Sequence, residues 1–320
     1  MNLREKIGQL FMVGFDGTEP PPTLVDLIRN YFIGGVILFR RNIKSHKQLA
    51  ELISELKKIA GDRRLLIGVD HEGGRVFRMP SPFTQFVPMG QIKSPATAHE
   101  IGKRMAIELK NVGIDINFAP VLDVDTNIKN PVIGDRSFSE NPVVVAELGV
   151  QLIKGLQENG VVACGKHFPG HGDTSLDSHN DLPPLPHTLV RLESLELIPF
   201  RAAIDAGVKS IMTAHVVDEG LDKDAPATLS PIIIKGLLQD GLKFRGVVFT
   251  DDLQMGALAG RWPLPGACIR ALQAGCDICL ICRDNVAQKK AIEHVIQAVN
   301  AGEILEDVIN TACRKVRTLF

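Results

Sequence analysis

The chain lacks an excess of either charge. Its 36 Lys and Arg stand against 37 Asp and Glu, for a formal net charge of −1. A nucleic-acid or anionic-membrane partner would ask for a basic surplus, and there is none. It also lacks any run of ~18 consecutive apolar residues, the length a membrane-spanning helix needs. The opening stretch MNLREKIGQLFMVGFDG does not read as a signal peptide. Its apolar run is short and broken by Gly8, Gln9 and Gly14, and no small-residue cleavage site follows. These absences set the expectation of a cytoplasmic protein with no nucleic-acid and no membrane partner. No low-complexity stretch or linker divides the 320 residues, so one domain over 1–320 is expected. Three catalytic signatures are missing as well: the GxSxG elbow, the Walker A lysine and HExxH.

Cysteine needs separate treatment. Cys276, Cys279 and Cys282 form CxxCxxC, which looks like a soft-metal or Fe–S ligand run. The segment DICLICR around it reads as a buried strand, whose side chains alternate faces. Cys279 would then point away from the other two, and the three are better read as small buried hydrophobes. Cys164, Cys268 and Cys313 show no pairing pattern.

What the chain does have is alternation. Eight short apolar runs read as strands: Leu10–Phe15, Gly35–Phe39, Leu65–Val69, Ile114–Ala119, Val161–Cys164, Ser210–Thr213, Gly246–Phe249 and Ile278–Cys282. Amphipathic segments lie between them, near Pro22–Tyr31, His46–Ala60, Pro95–Asn111, Pro142–Asn159, Arg191–Ala206, Pro231–Gln239 and Pro263–Ala274, with a last one near Asn285–Ala301. Several begin with proline and several end in glycine or asparagine, as helices do. Alternating βα units imply parallel strands covered by helices. Eight units predict an α/β fold closed as a (β/α)8 TIM-type barrel. An open doubly wound sheet would need a phosphate fingerprint, which is absent.

The polar residues fit a barrel. Asp16, Arg40, Asp70, Asp123 with Asp125, Lys166 with His167, His215, Asp251 with Asp252, and Arg283 follow the eight strands in turn. In a barrel these ends meet on one face, where catalytic groups collect. The densest segment is KHFPGHGDTSLDSH at 166–179, with three imidazoles, two carboxylates and an ammonium. On its residues alone it suits proton chemistry, anion binding or a metal. Within it, Asp177 and His179 lie two apart, on one side of an extended chain, and can form an acid/base pair. Lys166 suits substrate binding, a Schiff base or a structural ion pair. Of Asp251 and Asp252, at most one aims easily into the mouth, as nucleophile, base, metal ligand or helix cap. In VDHEGGRVFR, Gly73 and Gly74 give a tight turn, Asp70 can accept ligand hydroxyls, and Arg75 or Arg78 can donate paired bonds. Arg136 in GDRSF adds another guanidinium.

Together, KHFPGHGDTSLDSH, VDHEGGRVFR, NFAPVLDVD, GDRSF and VVFTDDLQMGA resemble glycoside hydrolase family 3. Within it they are similar to the β-N-acetylglucosaminidases of cell-wall recycling. The matches run in order from about residue 7 to 282. The resemblance implies a retaining exo-β-N-acetylglucosaminidase (a β-N-acetylhexosaminidase) with no metal and no cofactor. It implies Asp251 as nucleophile and His179 as acid/base with Asp177 as its partner. Asp70, Arg78, Arg136, Lys166 and His167 would bind the terminal sugar. The implied substrate is N-acetylglucosaminyl-1,6-anhydro-N-acetylmuramic acid, with or without its peptide, and a monomer is expected. The chain departs from the pattern at His71, where glutamine is common, and at the short, proline-rich GRWPLPG. Three other readings stand beside this one. They are a β-N-acetylglucosaminide phosphorylase, a metal-dependent barrel hydrolase using His167, His171, Asp173, Asp177 and His179, and a non-enzymatic sugar-binding protein. The roles of His171, Asp173 and His215 stay open.

Overall fold

A computed structural model describes residues 1–175 and 182–319. Eight parallel strands close into a barrel: β1 (Phe11–Val13), β2 (Gly35–Leu38), β3 (Leu66–Val69), β4 (Ile116–Asn117), β5 (Val162–Phe168), β6 (Ser210–Thr213), β7 (Val247–Asp252) and β8 (Ile278–Ile281). Each pairs with its neighbours in sequence, and β1 pairs with β8 to complete the ring. The expected (β/α)8 barrel is therefore the observed one. Most strands are shorter than their apolar runs, but β5 and β7 are longer, and they carry Lys166 with His167 and Asp251 with Asp252 inside them.

The barrel interior is packed by pairing small residues with large ones. A Cβ on Gly68 would meet Phe118, Ile116 and Met12, and one on Gly35 would strike Met12. The Phe118 and Phe249 rings stand edge to face at 5.3 Å, both fully buried. Phe249 lies two residues before Asp251 on β7, and the pairing with β8 shifts register between Phe249 and Asp252.

The helices start where local chemistry satisfies their free N–H groups. Ser45, Ser94, Asn141 and Thr188 each accept a backbone N–H of the first turn. The segment expected as one helix over 191–206 is two, Leu189–Ser194 and Leu197–Asp205. Pro199 accounts for the break, since in a continuous helix its ring would strike the carbonyl of Leu195. Two terminal helices, Leu3–Gly8 and Glu306–Val316, lie outside the sequence reading. The first carries a reciprocal cap between Asn2 and Glu5. All six cysteines are buried and unpaired, as expected of small core residues. Among the described residues, no helix is long and apolar enough to cross a membrane.

Candidate active site

The C-terminal ends of the strands open into a cavity of about 520 Å³, within the range of small-molecule sites. Asp70, Arg78, Arg136, Lys166, His167 and Asp251 all line it. Six of the eight expected site residues thus converge from β3, β5, β7 and two loops. The other two, Asp177 and His179, lie outside the described residues.

A four-membered charge network forms one wall. The Lys166 ammonium donates to Asp70 Oδ1 at 2.7 Å and lies 2.7 Å from Glu72 Oε1. Arg136 grips Glu72 with two parallel bonds of 2.8 Å, from Nε to Oε2 and from Nη2 to Oε1. Two cations and two carboxylates balance, and Lys166 and Glu72 are almost fully buried. Burial alone would push the Glu72 carboxyl up, but Arg136 and Lys166 outweigh it and hold it well below the usual range. Burial would likewise push Lys166 down, and Asp70 with Glu72 hold it above its ordinary value. An amine held as an ammonium cannot attack a carbonyl, which removes the Schiff-base reading of Lys166.

Sequence reasoning missed Glu72, the centre of this network. A buried Asn117 holds its segment in place. The Asn117 side chain accepts from His71 N–H and donates to His71 C=O, both at 2.9 Å. The positive φ of Gly73 and Gly74 then turns the chain back. The His71 ring sits away from the cavity against Phe77 and Phe86, and burial pushes its pKa down to about 4. Of the two candidate arginines, Arg75 is used in tying loops together, through Asp135 and the Ile133 carbonyl. Arg78 faces the cavity, and its buried Nε has no partner.

Asp123 is the second residue whose role was missed. Fully buried, it accepts from His167 Nδ1 at 2.7 Å and from the His171 N–H at 2.7 Å. The carboxylate fixes the His167 tautomer, so the Nε2 edge is the one left for a ligand. His167 and Lys166 both line the cavity, and the peptide bond between them is cis. His171 is also at the wall, with Nδ1 against the Thr174 hydroxyl at 2.9 Å. Burial and the neighbouring His167 push it down to about 4, so it is a neutral group at pH 7.

Asp251 lies at the end of β7. Asp252 N–H donates to its Oδ1 at 2.8 Å. Burial alone would push it up, but His167, His215, that N–H and Lys166 together hold it below the ordinary carboxylate value. His215 is itself pushed down by burial. Its Nε2–H donates to the Asp252 carbonyl, and its Nδ1 meets the Thr228 hydroxyl. A His215 pushed down from its ordinary value is neutral at pH 7 and adds no positive charge there. Asp252 has a different task. It accepts the Gln254 and Cys282 N–H groups and so ties β7 to β8. Both adjacent carboxylates line the cavity, and they differ in that Asp252 accepts from two backbone N–H groups and Asp251 from one.

A cavity lined by a carboxylate held below its ordinary pKa and by a network of donors and acceptors suits a bound polyol. The family model for the glycosyl hydrolase family 3 N-terminal domain matches residues 2–319. The chain belongs to glycosyl hydrolase family 3. This family 3 chain is a glycoside hydrolase, and its relatives are β-hexosaminidases. It is 43% identical over 260 residues to the β-hexosaminidase of Neisseria meningitidis serogroup C, across 78% of this chain and 71% of that one. It is 43% identical over 282 residues to that of Nitrosomonas eutropha, across 85% and 80%. Among solved structures, a family 3 β-N-acetylglucosaminidase from a Paenibacillus species superposes with a TM-score of 0.97 at 40% identity. That match covers all of this chain and 62% of the longer one. NagZ from Neisseria gonorrhoeae, solved with N-trifluoroacetyl-D-glucosamine, gives 0.78 at 35% identity, covering 97% of each chain.

Proposed function

We propose that this family 3 chain is a retaining exo-β-N-acetylglucosaminidase that works through a covalent sugar–Asp251 intermediate. The observation that carries the reading is Asp251, which lines the cavity with its pKa held below the ordinary carboxylate value, in the same cavity as the Asp70–Lys166–Glu72–Arg136 wall. In the first step an Asp251 oxygen attacks the anomeric carbon. The bond to the leaving oxygen breaks, and His179 gives that oxygen a proton. In the second, His179 takes a proton from water, the water oxygen attacks the same carbon, and Asp251 departs. Two inversions leave the β configuration. Asp177 stabilises the imidazolium that His179 is before the first step and becomes again in the second. Asp70 accepts sugar hydroxyls, while Lys166, Arg136 and Arg78 donate to sugar oxygens and His167 offers its Nε2.

The fuller reading is a muropeptide substrate, N-acetylglucosaminyl-1,6-anhydro-N-acetylmuramic acid with or without peptide, cleaved in the cytoplasm. The exposed Arg40 and Arg283 with the partly buried Arg41 and Arg78 support it, because they set guanidinium groups around the mouth, where a leaving group bearing carboxylates would lie.

Asp251→Asn tests the nucleophile. Turnover of an aryl N-acetyl-β-glucosaminide should fall by on the order of 10⁴-fold or more, with the melting temperature retained. Wild-type rates in that variant would end the assignment. His179→Ala should slow poor leaving groups far more than good ones, and an equal loss on both would remove it as the acid. Comparing the aryl N-acetyl-β-glucosaminide with the aryl β-glucoside, with and without phosphate, separates the remaining readings. Release of the sugar 1-phosphate would make the enzyme a phosphorylase instead.

A further inference from the structure

Beside the cavity lies a second cluster that none of the roles above uses. His187, 1% exposed, donates from Nε2 to Asp173 Oδ2 at 2.9 Å. The Arg191 guanidinium reaches the same oxygen at 3.0 Å. Two further carboxylates face the other ring edge, with Asp218 Oδ1 at 3.6 Å and Glu196 Oε1 at 3.9 Å from Nδ1. Glu196 also pairs with Arg191 at 3.0 Å, and Gly170 packs directly over its side chain.

Asp173 and His187 stand on opposite sides of the segment that carries Asp177 and His179. The side before that segment is tightly fixed. Asn130 donates to the carbonyls of His171 and Gly172, and Gly172 presses so closely on the Val124 backbone that no side chain fits there. The side after it is held by a short parallel ladder, Pro184–Leu185 against Val217–Asp218. Those bonds fix each side to the barrel. The Asp173–His187 bond joins the two sides to each other.

We propose that His187 is a positioning residue for the proton donor, tying together through Asp173 the two sides of the loop that carries Asp177 and His179. This rests on the reading of His179 as the acid/base. The bond fixes the two described flanks relative to each other, and a shift of about 1 Å in a catalytic group can cost about 10²-fold in rate. Arg191 is 41% exposed and its hold on Asp173 is screened by solvent, so it does not replace the buried imidazole.

The test uses His187→Ala, His187→Gln and Asp173→Asn in the full chain. Each is assayed on an aryl N-acetyl-β-glucosaminide with a strongly acidic phenol and on one with an alkyl leaving group. With His187→Ala and Asp173→Asn, kcat on the alkyl substrate should fall about tenfold or more, while kcat on the activated one changes little, since it needs no proton. His187→Gln, which retains a donor, should recover much of the loss. In a His179→Ala background, His187→Ala should add nothing. Equal losses on both substrates, or additive losses with His179→Ala, would overturn the proposal. Should His187→Ala fail to fold, Asp173→Asn changes a side chain already 26% exposed and decides the matter alone. If His179→Ala itself shows no dependence on the leaving group, the acid/base assignment falls and this proposal with it, whereas dependence in His179→Ala without it in His187→Ala overturns this proposal alone.

Discussion

The two ends of the barrel use carboxylates differently. At the bottom, Asp115 and Asp277 precede β4 and β8. Each accepts the second backbone N–H of a neighbouring strand, from Ile67 at 2.9 Å and Val248 at 2.8 Å. Each also takes one lysine, Lys57 at 3.0 Å and Lys315 at 2.5 Å. These groups are consumed in closing the ring and anchoring helices. At the top, Asp70 and Glu72 share Lys166, Glu72 also holds Arg136, and Asp251 bonds to one backbone N–H while facing the cavity. Neutralised carboxylates with capacity left over are suited to a ligand, while satisfied ones are suited to stability. The same residue type thus serves structure or chemistry according to whether its partners exhaust it.

Four measurements press on that contrast, from the largest expected effect down. Glu72→Gln leaves Lys166 and Arg136 with only Asp70 between them. It should lower kcat/KM by on the order of 10²–10³-fold, because the wall loses its centre. An unchanged kcat/KM would place Glu72 with the structural carboxylates. Asp218, buried with neither oxygen hydrogen-bonded, is pushed up to about 7 by burial and by Glu196. Its folded pKa exceeds the unfolded value, so its contribution to stability is full below about pH 3.8 and is lost as pH rises through about 7. Asp218→Asn escapes that loss. It should exceed the wild type in melting free energy by up to about 4 kcal/mol at pH 8, with the gap closing toward pH 4. A gap independent of pH would show that Asp218 does not titrate in this range. Lys315→Met strands a buried carboxylate at the bottom and should destabilise by about 3 kcal/mol, with kcat of the folded enzyme unchanged. A fall in kcat without a fall in stability would reverse the division. Lys57→Met, at a pair about a third exposed, should cost under about 1 kcal/mol.

The barrel was legible in the sequence because each strand is a local apolar run and each helix a local pattern, and both signals survive without knowing their partners. Pro199 also announced the split helix, although the longer amphipathic pattern masked it. Asp70, Arg136, Lys166, His167 and Asp251 were legible as strand-end or loop charges and through their motifs. Glu72 was not, and Asp123 was legible only as a strand-end charge, because the roles of both lie in pairing. Glu72 meets Arg136 across 64 residues, and Asp123 meets His167 across 44. A sequence states that a carboxylate is present but not which cation will occupy it. The Asp173–His187 bond belongs to the same class, since Asp173 and His187 appear in the sequence as an ordinary loop acid and an ordinary histidine.

The Phe118 and Phe249 rings, fully buried and edge to face, belong to a barrel interior that is filled rather than hollow. A ligand therefore has its way in from the strand ends and no passage out of the other end. On the proposed two-step reaction the leaving group departs before the sugar, so free N-acetylglucosamine should compete with substrate while the other product should not.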